Sequence, residues 1–157
     1  MSTHLNDPDV IRDLLHTPGT WAVVGLGDNP DRTAYGVSRW LQAELGLHIV
    51  PVHPDAATVH GERGYANLAE IPDGTTITVV DCFVNSARVG AVVDEAIAER
   101  ERLGIEAVWL QLGVVDEDAA QRAEDAGLAV VMDTCPKIEY PRIVPGDGSR
   151  AVTDGPR

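Results

Sequence analysis

The stretch that decides the fold of this chain reads WAVVGLGDNPDRTAYG and runs from Trp21 to Gly36. A valine-rich apolar run enters a loop with two glycines, and a helical pattern of apolar residues follows. Glycines let backbone N–H groups approach a phosphate, a helix N-terminus adds positive potential, and Arg32 supplies a charge-assisted bidentate contact. The sequence therefore predicts an anion-binding loop from Gly25 to Arg32. A glycine-containing turn without a ligand is the alternative.

Four further apolar runs have the same character, and none alternates cleanly between apolar and polar residues, which is typical of strands covered on both faces. The five predicted strands are Trp21–Leu26, His48–Val52, Thr76–Phe83, Glu106–Leu112 and Leu128–Met132. Helical stripes separate them, at Val37, Trp40, Leu41 and Leu45 and at Val89, Val92, Val93, Ala96 and Ile97. This alternation predicts an α/β fold: a Rossmann-like, doubly wound, parallel five-stranded sheet with helices on both faces, in a single domain.

Local signals mark the ends of further helices. Asn6 or Asp7 stands before Pro8 and begins a helix that precedes the sheet. Asp116 caps a helix whose inner face consists of alanines, and Gly127 ends it.

These elements divide the chain into three parts. Residues 1–19 form an N-terminal helix, and residues 20–142 form the main domain. Within that domain, the link between the second and third strands is mostly irregular, with one short helical candidate at residues 67–71. Residues 143–157 are expected to be a flexible tail, because little apolar sequence follows Tyr140.

The net charge of the chain limits the classes of molecule that it can bind. The chain has 157 residues, of which 44% are hydrophobic and 24% are charged, as in a globular domain. Twenty-five acidic residues against twelve basic ones give a net charge of −13, which repels nucleic-acid phosphates and anionic membranes. We therefore expect neither nucleic acid nor a membrane as a partner. An anionic ligand has to be held by local donors.

The cysteines and histidines offer no metal site. Cys82 and Cys135 lie far apart, so neither a disulfide framework nor a zinc cluster is predicted. No ligand pair among His48, His53 and His60 falls on one helix face. Because the N-terminus also lacks the pattern of a secretory leader, we expect reduced thiols and a cytoplasmic location.

The strand exits carry the candidate ligand contacts, because ligands of open parallel sheets bind beyond the carboxyl ends of the strands. The first loop has Pro30 where the dinucleotide fingerprint has its third glycine. After the second strand, His53 and Pro54 stand where an NAD site needs an acidic residue for the ribose hydroxyls. A histidine donor suits a phosphate, which favours a nucleotide with a phosphorylated ribose over NAD. A surface histidine in a proline-set turn is the alternative.

The remaining exits add weaker candidates. Phe83 lies at the sheet edge after the third strand, where Asn85 or Ser86 caps the next helix. Gln111 can hydrogen-bond an amide and Lys137 a phosphate, unless both are simply solvated.

Catalysis has little support in the sequence. Cys135 is a candidate nucleophile, but it needs an activating base, and His53 serves only if the two strand exits meet across the sheet edge. The alternative is a buried, inert thiol. We predict no catalytic residue.

Together these motifs resemble those of a known family. The matching segments are Val23–Gly25, Asp28–Pro30, Arg32, Tyr35–Val37, Pro51–Pro54, Gly61, Leu68–Pro72, Asp94–Ala96, Trp109–Gly113 and Asp133–Tyr140. Over residues 10–142 the chain resembles the small standalone CoA-binding proteins, whose fold is similar to the CoA-binding domain of the succinyl-CoA synthetase alpha subunit. The resemblance implies coenzyme A or an acyl-CoA as the ligand, with its phosphates at the loop from Gly25 to Arg32 and its adenosine near the second and third strand exits. The expected site residues are Gly25, Leu26, Gly27, Asp28, Arg32, Tyr35, Gly36, His53, Pro54, Phe83, Val84, Asn85, Gln111, Gly113, Cys135 and Lys137.

Two positions depart from the family pattern. The family often has asparagine where this chain has His53, and Phe-Arg where this chain has Phe83 and Val84. The second departure removes a phosphate partner, for which Arg88, one helical turn further on, is a partial replacement.

The resemblance implies binding rather than a known reaction. We therefore expect noncatalytic binding of CoA or an acyl-CoA, as a sensor or as a partner subunit, with a homo-oligomer or another protein as the partner left open. The alternatives are an NAD(P)-binding oxidoreductase, an acyl transferase that uses Cys135, and an interaction domain that has lost its ligand.

Overall fold

Five short parallel strands form the centre of the molecule. A computed structural model describes residues 4–143, and its strands are β1 (Thr20–Val24), β2 (His48–Val52), β3 (Val79–Cys82), β4 (Ala107–Leu110) and β5 (Ala129–Met132). They lie in the order β2-β1-β3-β4-β5, and every neighbouring pair is parallel. The predicted Rossmann-like sheet is therefore confirmed. The predicted flexible tail lies outside the described residues, except for residue 143.

Helices cover both faces of this sheet. They are α1 (Pro8–His16), α2 (Thr33–Leu45), α3 (Ser86–Ala98), α4 (Arg100–Leu103), α5 (Glu117–Asp125) and α6 (Pro136–Ile143), with a 3-10 turn at Leu68–Glu70. α3 and α5 bury Val89, Val93 and Ala123 against one face. α1 and α2 bury Ile11 and Leu41 against the other. Each face thus has its own apolar layer, as the apolar stripes predict. In the described part of the chain, no helix is both long enough and apolar enough to cross a membrane.

Four of the five strands are shorter than the apolar runs that predict them, whereas β2 has the predicted bounds. β1 ends at Val24, because Gly25 has a φ of 98° and leaves the extended conformation. β3 begins only at Val79, because the backbone N–H of Ile77 donates to the carbonyl of Leu103, outside the sheet. Apolar runs therefore locate these strands without fixing their ends.

The predicted helix caps are present. The side chain of Asp7 accepts from the N–H of Asp9 in α1, Asn85 caps α3 and Asp116 caps α5. Gly127 follows α5 with a φ of 92°, the left-handed conformation that ends many helices. Local side-chain acceptors thus set where these three helices begin.

Asn6 was the other candidate for the residue that caps α1, and it has a different role. Its amide donates to the carbonyl of Met132 and accepts from the N–H of Met132, both at 2.9 Å. These two bonds attach the start of α1 to the end of β5.

Two helices have no counterpart in the sequence analysis. α4 has only four residues and ends at Gly104, which is left-handed. α6 contains Pro136 and Pro141, and its position depends on packing. The ring of Tyr140 stands edge-on to Trp40 at 5.7 Å and to His16 at 5.9 Å. Tertiary contacts with α1 and α2 therefore hold a segment whose local signals are weak.

Candidate functional site

The candidate site lies where the strand order reverses. β1 stands between β2 and β3, so the connections that leave β1 and β3 diverge, and a crevice opens at the carboxyl ends of the strands. A cavity of about 540 Å³ lies there, within the range of roughly 300–1,000 Å³ that is common for small-molecule sites. Its lining residues are Gly25, Arg32, Thr33, Ala34, Val37, Phe83, Val84, Gln111, Leu112, Val114, Cys135, Lys137 and Ile138.

Gly25 presses the first loop against the exit of β3. Its N–H donates to the carbonyl of Val52 at 2.8 Å. A Cβ atom at this position would overlap the carbonyl oxygen of Phe83, and the φ of 98° is unfavourable for any residue with a side chain. The two strand exits therefore lie together only because residue 25 is glycine.

The rest of this loop is held by the buried side chain of Leu26 and ends at the cation Arg32. The side chain of Leu26 is fully buried, so only its backbone can face a ligand. The side chain of Asn29 accepts from the N–H of Asp31 at 2.9 Å and holds the turn that leads to Arg32. The guanidinium of Arg32 is exposed, and it forms no ion pair with another described residue.

The first turn of α2 faces the cavity without a side-chain cap. Arg32 is the N-cap residue and gives this turn no side-chain acceptor. Thr33 and Ala34 both line the cavity. Free N–H donors, the positive end of the helix dipole and a cation therefore point to one space, an arrangement that attracts anions.

A second helix begins at the same cavity. Lys137, the only lysine of the chain, lies in the first turn of α6 and lines the cavity opposite α2. The turn before it is held by Trp109, whose indole N–H donates to the carbonyl of Thr134 at 2.9 Å. The hydroxyl of Thr134 donates to Glu139 at 2.5 Å. Two helix N-termini, each with a cation, thus converge on one cavity.

Cys135 is half-buried at the start of α6. Burial raises the pKa of its thiol, the charge of Asp81 adds to the shift, and the N–H groups of Lys137 and Ile138 oppose it. A raised pKa reduces the thiolate fraction, which is the nucleophilic form. His53 follows β2 and Cys135 follows β5, and these are the opposite edges of the sheet. The structure therefore places Cys135 at the opposite edge of the sheet from His53, the base that the sequence suggested for it.

Gln111, which lines the cavity, forms a buried polar pair with Asp81. Gln111 is 4% exposed, and its amide donates to Asp81 at 2.6 Å. Asp81 is fully buried on β3, and burial raises its pKa from 3.8 to about 7, although the hydrogen bond from Gln111 opposes the shift. Its Oδ2 atom has no hydrogen-bond partner in the described part of the chain.

Seven of the expected site residues line the cavity together. They are Gly25, Arg32, Phe83, Val84, Gln111, Cys135 and Lys137. The apolar residues Leu112 and Ile138 also line it, although they are 62% and 38% exposed, and sequence reasoning did not select them. In the sequence, Leu112 directly follows Gln111 and Ile138 directly follows Lys137, and an apolar residue after a polar one near a strand exit could have identified both. Thr33, Ala34, Val37 and Val114 were missed as well.

Other expected site residues lie outside this lining. Asp28, Pro54 and Gly36 are exposed at the surface. Tyr35 packs against the ring of His60 at 4.3 Å, and its carbonyl lies 2.9 Å from the Nε2 atom of that ring.

Asn85 and Gly113 have structural partners instead. Asn85 caps α3, and the N–H of Gly113 donates to Asp133 at 2.8 Å. Ser86 accepts from Val115 and donates to Gly113, which links the exits of β3 and β4. Arg88, the expected replacement for the missing arginine, is exposed on α3 and does not line the cavity.

His53 lies beside the first loop rather than in the cavity. A Cβ atom on Gly27 would stand 3.3 Å from its ring, so the imidazole packs directly on the loop backbone. Its Nδ1 atom accepts from the N–H of Asp55 at 3.1 Å, and the carboxylate of Asp55 lies 3.6 Å away. While Nδ1 accepts, the proton of the neutral ring is on Nε2, which is then a donor next to the loop.

Comparisons with known proteins agree with this architecture. The sequence profile of the family described as "CoA binding domain" matches residues 19–141. The uncharacterized protein YneT of Bacillus subtilis is 35% identical over 130 residues, which cover 83% of this chain and 91% of YneT. A hypothetical protein from Pyrococcus horikoshii is 30% identical with a TM-score of 0.77, covering 92% of this chain and 99% of the other. A protein from Thermus thermophilus is 28% identical with a TM-score of 0.75, covering 87% and 98%. Since the profile spans the whole sheet and both helices that open onto the cavity, the chain belongs to the CoA binding domain family.

Proposed function

We propose that this chain binds coenzyme A or an acyl-CoA in the cavity between α2 and α6 and catalyses no reaction on it. The observation that carries the proposal is the convergence of two helix N-termini, with Arg32 and Lys137, at the point where the strand order reverses. Membership of the CoA binding domain family supports CoA as the ligand. A binder of this kind serves as a sensor or as a subunit that presents the ligand to a partner.

The charge of the chain makes these two cations important. A net charge of −13 opposes the approach of a phosphorylated nucleotide, so binding depends on donors within a few ångströms of the phosphates. The apolar residues Phe83, Val84 and Leu112 are part of the remaining wall. They suit the less polar parts of the ligand.

Calorimetry with four nucleotides tests the proposal. The wild-type protein is expected to bind CoA more tightly than dephospho-CoA, NAD or NADP, because the first loop lacks the dinucleotide fingerprint and an acidic residue at position 53. Binding of NAD in the micromolar range with no binding of CoA would overturn the proposal in favour of an oxidoreductase.

Replacement of Arg32 by alanine tests the anion site directly. A hydrogen bond to a charged group contributes about 1.5–3 kcal/mol, so Arg32→Ala is expected to raise the Kd for CoA roughly 10-fold to 100-fold. Arg39→Ala is the matched control, because Arg39 is exposed on the same helix, does not line the cavity and carries the same charge. It is expected to change the Kd less than about twofold. Equal losses in both variants would mean that only the overall field matters.

His53 is expected to favour the phosphorylated ribose. In the His53→Asp variant a donor becomes a negative charge beside the loop. The preference for CoA over dephospho-CoA should therefore fall by about tenfold or more. His48→Asp adds the same charge at the other end of β2 and is expected to leave the preference unchanged. If both variants keep the preference of the wild type, the ribose phosphate lies elsewhere.

Acyl transfer is the second candidate, because Cys135 lies in the cavity at a helix N-terminus. The raised pKa of its thiol and the distant position of His53 count against it. After incubation with acetyl-CoA, the intact mass of the protein is expected to be unchanged. An acetyl group found on Cys135 would refute the noncatalytic part of the proposal.

A further inference from the structure

Asp81 is a buried carboxyl group that the proposed phosphate site does not use. It lies on β3 between Val23 of β1 and Trp109 of β4, and both of these neighbours are fully buried and apolar. Among the described residues its single hydrogen-bond partner is the amide of Gln111, at 2.6 Å, and Oδ2 has none. A buried carboxyl with one free oxygen is costly to keep, so its position calls for a physical role.

Gln111 connects this carboxyl group to the cavity. Its Nε2 atom donates to Asp81, and no described residue donates to its Oε1 atom. Oε1 is nevertheless not among the fully buried atoms without a partner, so it has accessible surface. Gln111 also lines the cavity, so a ligand there comes close to this residue. The amide therefore gives its donor to Asp81, while its acceptor has no partner among the described residues.

We propose that Asp81 is a positioning residue for the amide of Gln111. When Asp81 is ionised, it holds this amide with Oε1 toward the cavity, where Oε1 accepts an amide N–H from the pantetheine arm of CoA. When Asp81 is protonated, the amide of Gln111 is reversed. The proposal rests on the proposed function. A protonated Asp81 is a donor, and its one side-chain partner among the described residues is Gln111, so a rotated amide satisfies it and presents NH₂ to the cavity instead. The same wall is thus an acceptor in one state and a donor in the other.

The surroundings of Asp81 allow this change of state near neutral pH. Its charge raises the pKa of two thiols, those of Cys82, on its own strand, and of Cys135, at the start of α6, and the charge of Lys137 on the same helix lowers the pKa of Cys135. Both thiols have raised pKa values and stay neutral, and no cation is paired with Asp81 within the described part of the chain. Burial raises the pKa of Asp81 to about 7, which places its titration between pH 6 and pH 8.

The binding test compares the wild type with two variants at pH 6 and pH 8. Asp81→Asn removes the titration, and Gln111→Met keeps the volume but removes the amide. Between these pH values the ionised fraction of Asp81 rises from roughly 0.1 to 0.9, so its contribution to CoA affinity is expected to rise up to about ninefold. Phosphate ionisation of CoA is common to all three proteins and cancels when they are compared. Melting temperatures verify that each variant is folded.

Loss of the extra pH dependence in both variants is the expected result. Gln111→Met contains no new titrating group, so a purely structural role of Asp81 would not link the two residues in this way. Persistence of the wild-type dependence in Gln111→Met would refute action through Gln111. Persistence in Asp81→Asn would refute Asp81 as the titrating group.

A readout without ligand separates this inference from the proposed function. The side-chain ¹⁵N resonances of Gln111 in the free protein are expected to shift with pH in the wild type and to stay constant in Asp81→Asn. If they do not shift in the wild type, the amide does not respond to Asp81 and the inference is wrong, whatever the ligand. If they shift and CoA does not bind, the proposed function is wrong, and with it the assignment of the pantetheine arm.

Discussion

Replacing Gly25 with alanine is expected to destabilise the fold by roughly 2–5 kcal/mol, the combined size of left-handed backbone strain and an overpacked contact. Gly25 has a φ of 98°, and a Cβ atom there would overlap the backbone carbonyl of Phe83. Neither strand exit can retreat easily, because the N–H of Gly25 bonds to Val52 and that of Phe83 bonds to Val24, both at 2.8 Å. The expected fall in melting temperature is about 5–15 °C for a domain of this size.

Gly36→Ala is the matched control for this substitution. Gly36 lies inside α2, its φ is not positive, and no atom stands within 4 Å of the position of a Cβ atom. Because alanine is the better helix former by about 0.8–1.0 kcal/mol, the melting temperature is expected to rise by a few degrees. The same chemical change should thus have opposite signs at the two glycines. Equal effects of the two substitutions would contradict the view that Gly25 is required for the approach of the β1 and β3 exits.

The sheet could be predicted because its signal is local. Buried strands such as β4 and β5 are continuous apolar runs, and a run of this kind stays recognisable whatever its neighbours are. Both ends of β2 were predicted, but the ends of β3 and β4 were not, because they depend on contacts with distant segments. The bond from Ile77 to Leu103, which keeps residue 77 outside the sheet, is one of these contacts.

The site could be predicted in part for the same reason. Strand exits converge in any parallel sheet, so Gly25, Gln111 and Lys137 could be expected to lie near one another. Tyr35 and Gly36, which the family pattern placed at the site, do not line the cavity. That helix begins at Thr33, so Thr33 and Val37 share the face toward the cavity, and the intervening Tyr35 turns toward His60. One turn of helical geometry decides which of these residues lines the cavity.

The sequence shows that Asp81 lies within an apolar run, but it does not show what surrounds the carboxyl group. A single carboxyl group within the run Val79–Cys82 is unusual for a strand covered on both faces. Only the fold, whose register places it between Val23 and Trp109, shows that its side chain is fully buried with one hydrogen-bond partner among the described residues.

The Asp81→Asn substitution is expected to stabilise the protein most at pH 8 and by less than about half as much at pH 5. Burial raises the pKa of Asp81 from 3.8 in the unfolded chain to about 7 in the fold. Between these values the folded state binds more protons than the unfolded state, so the free energy of unfolding decreases as the pH rises and levels off above pH 7. A shift of this size corresponds to about 4 kcal/mol, which is the upper limit of the expected difference, since the introduced asparagine keeps only part of the contact with Gln111.

Urea unfolding of both proteins at pH 5 and pH 8 measures this difference, with equal m-values as the sign that only stability has changed. Asp28→Asn is the control, because Asp28 is exposed in the first loop and its loss changes the net charge of −13 by the same amount. Relief of general repulsion would stabilise both variants alike, whereas relief of a buried charge stabilises only Asp81→Asn. A stability gain that is equal at the two pH values would show that Asp81 does not titrate in this range. The same carboxyl group would then be unable to turn the Gln111 amide with pH, because stability and orientation depend on one proton.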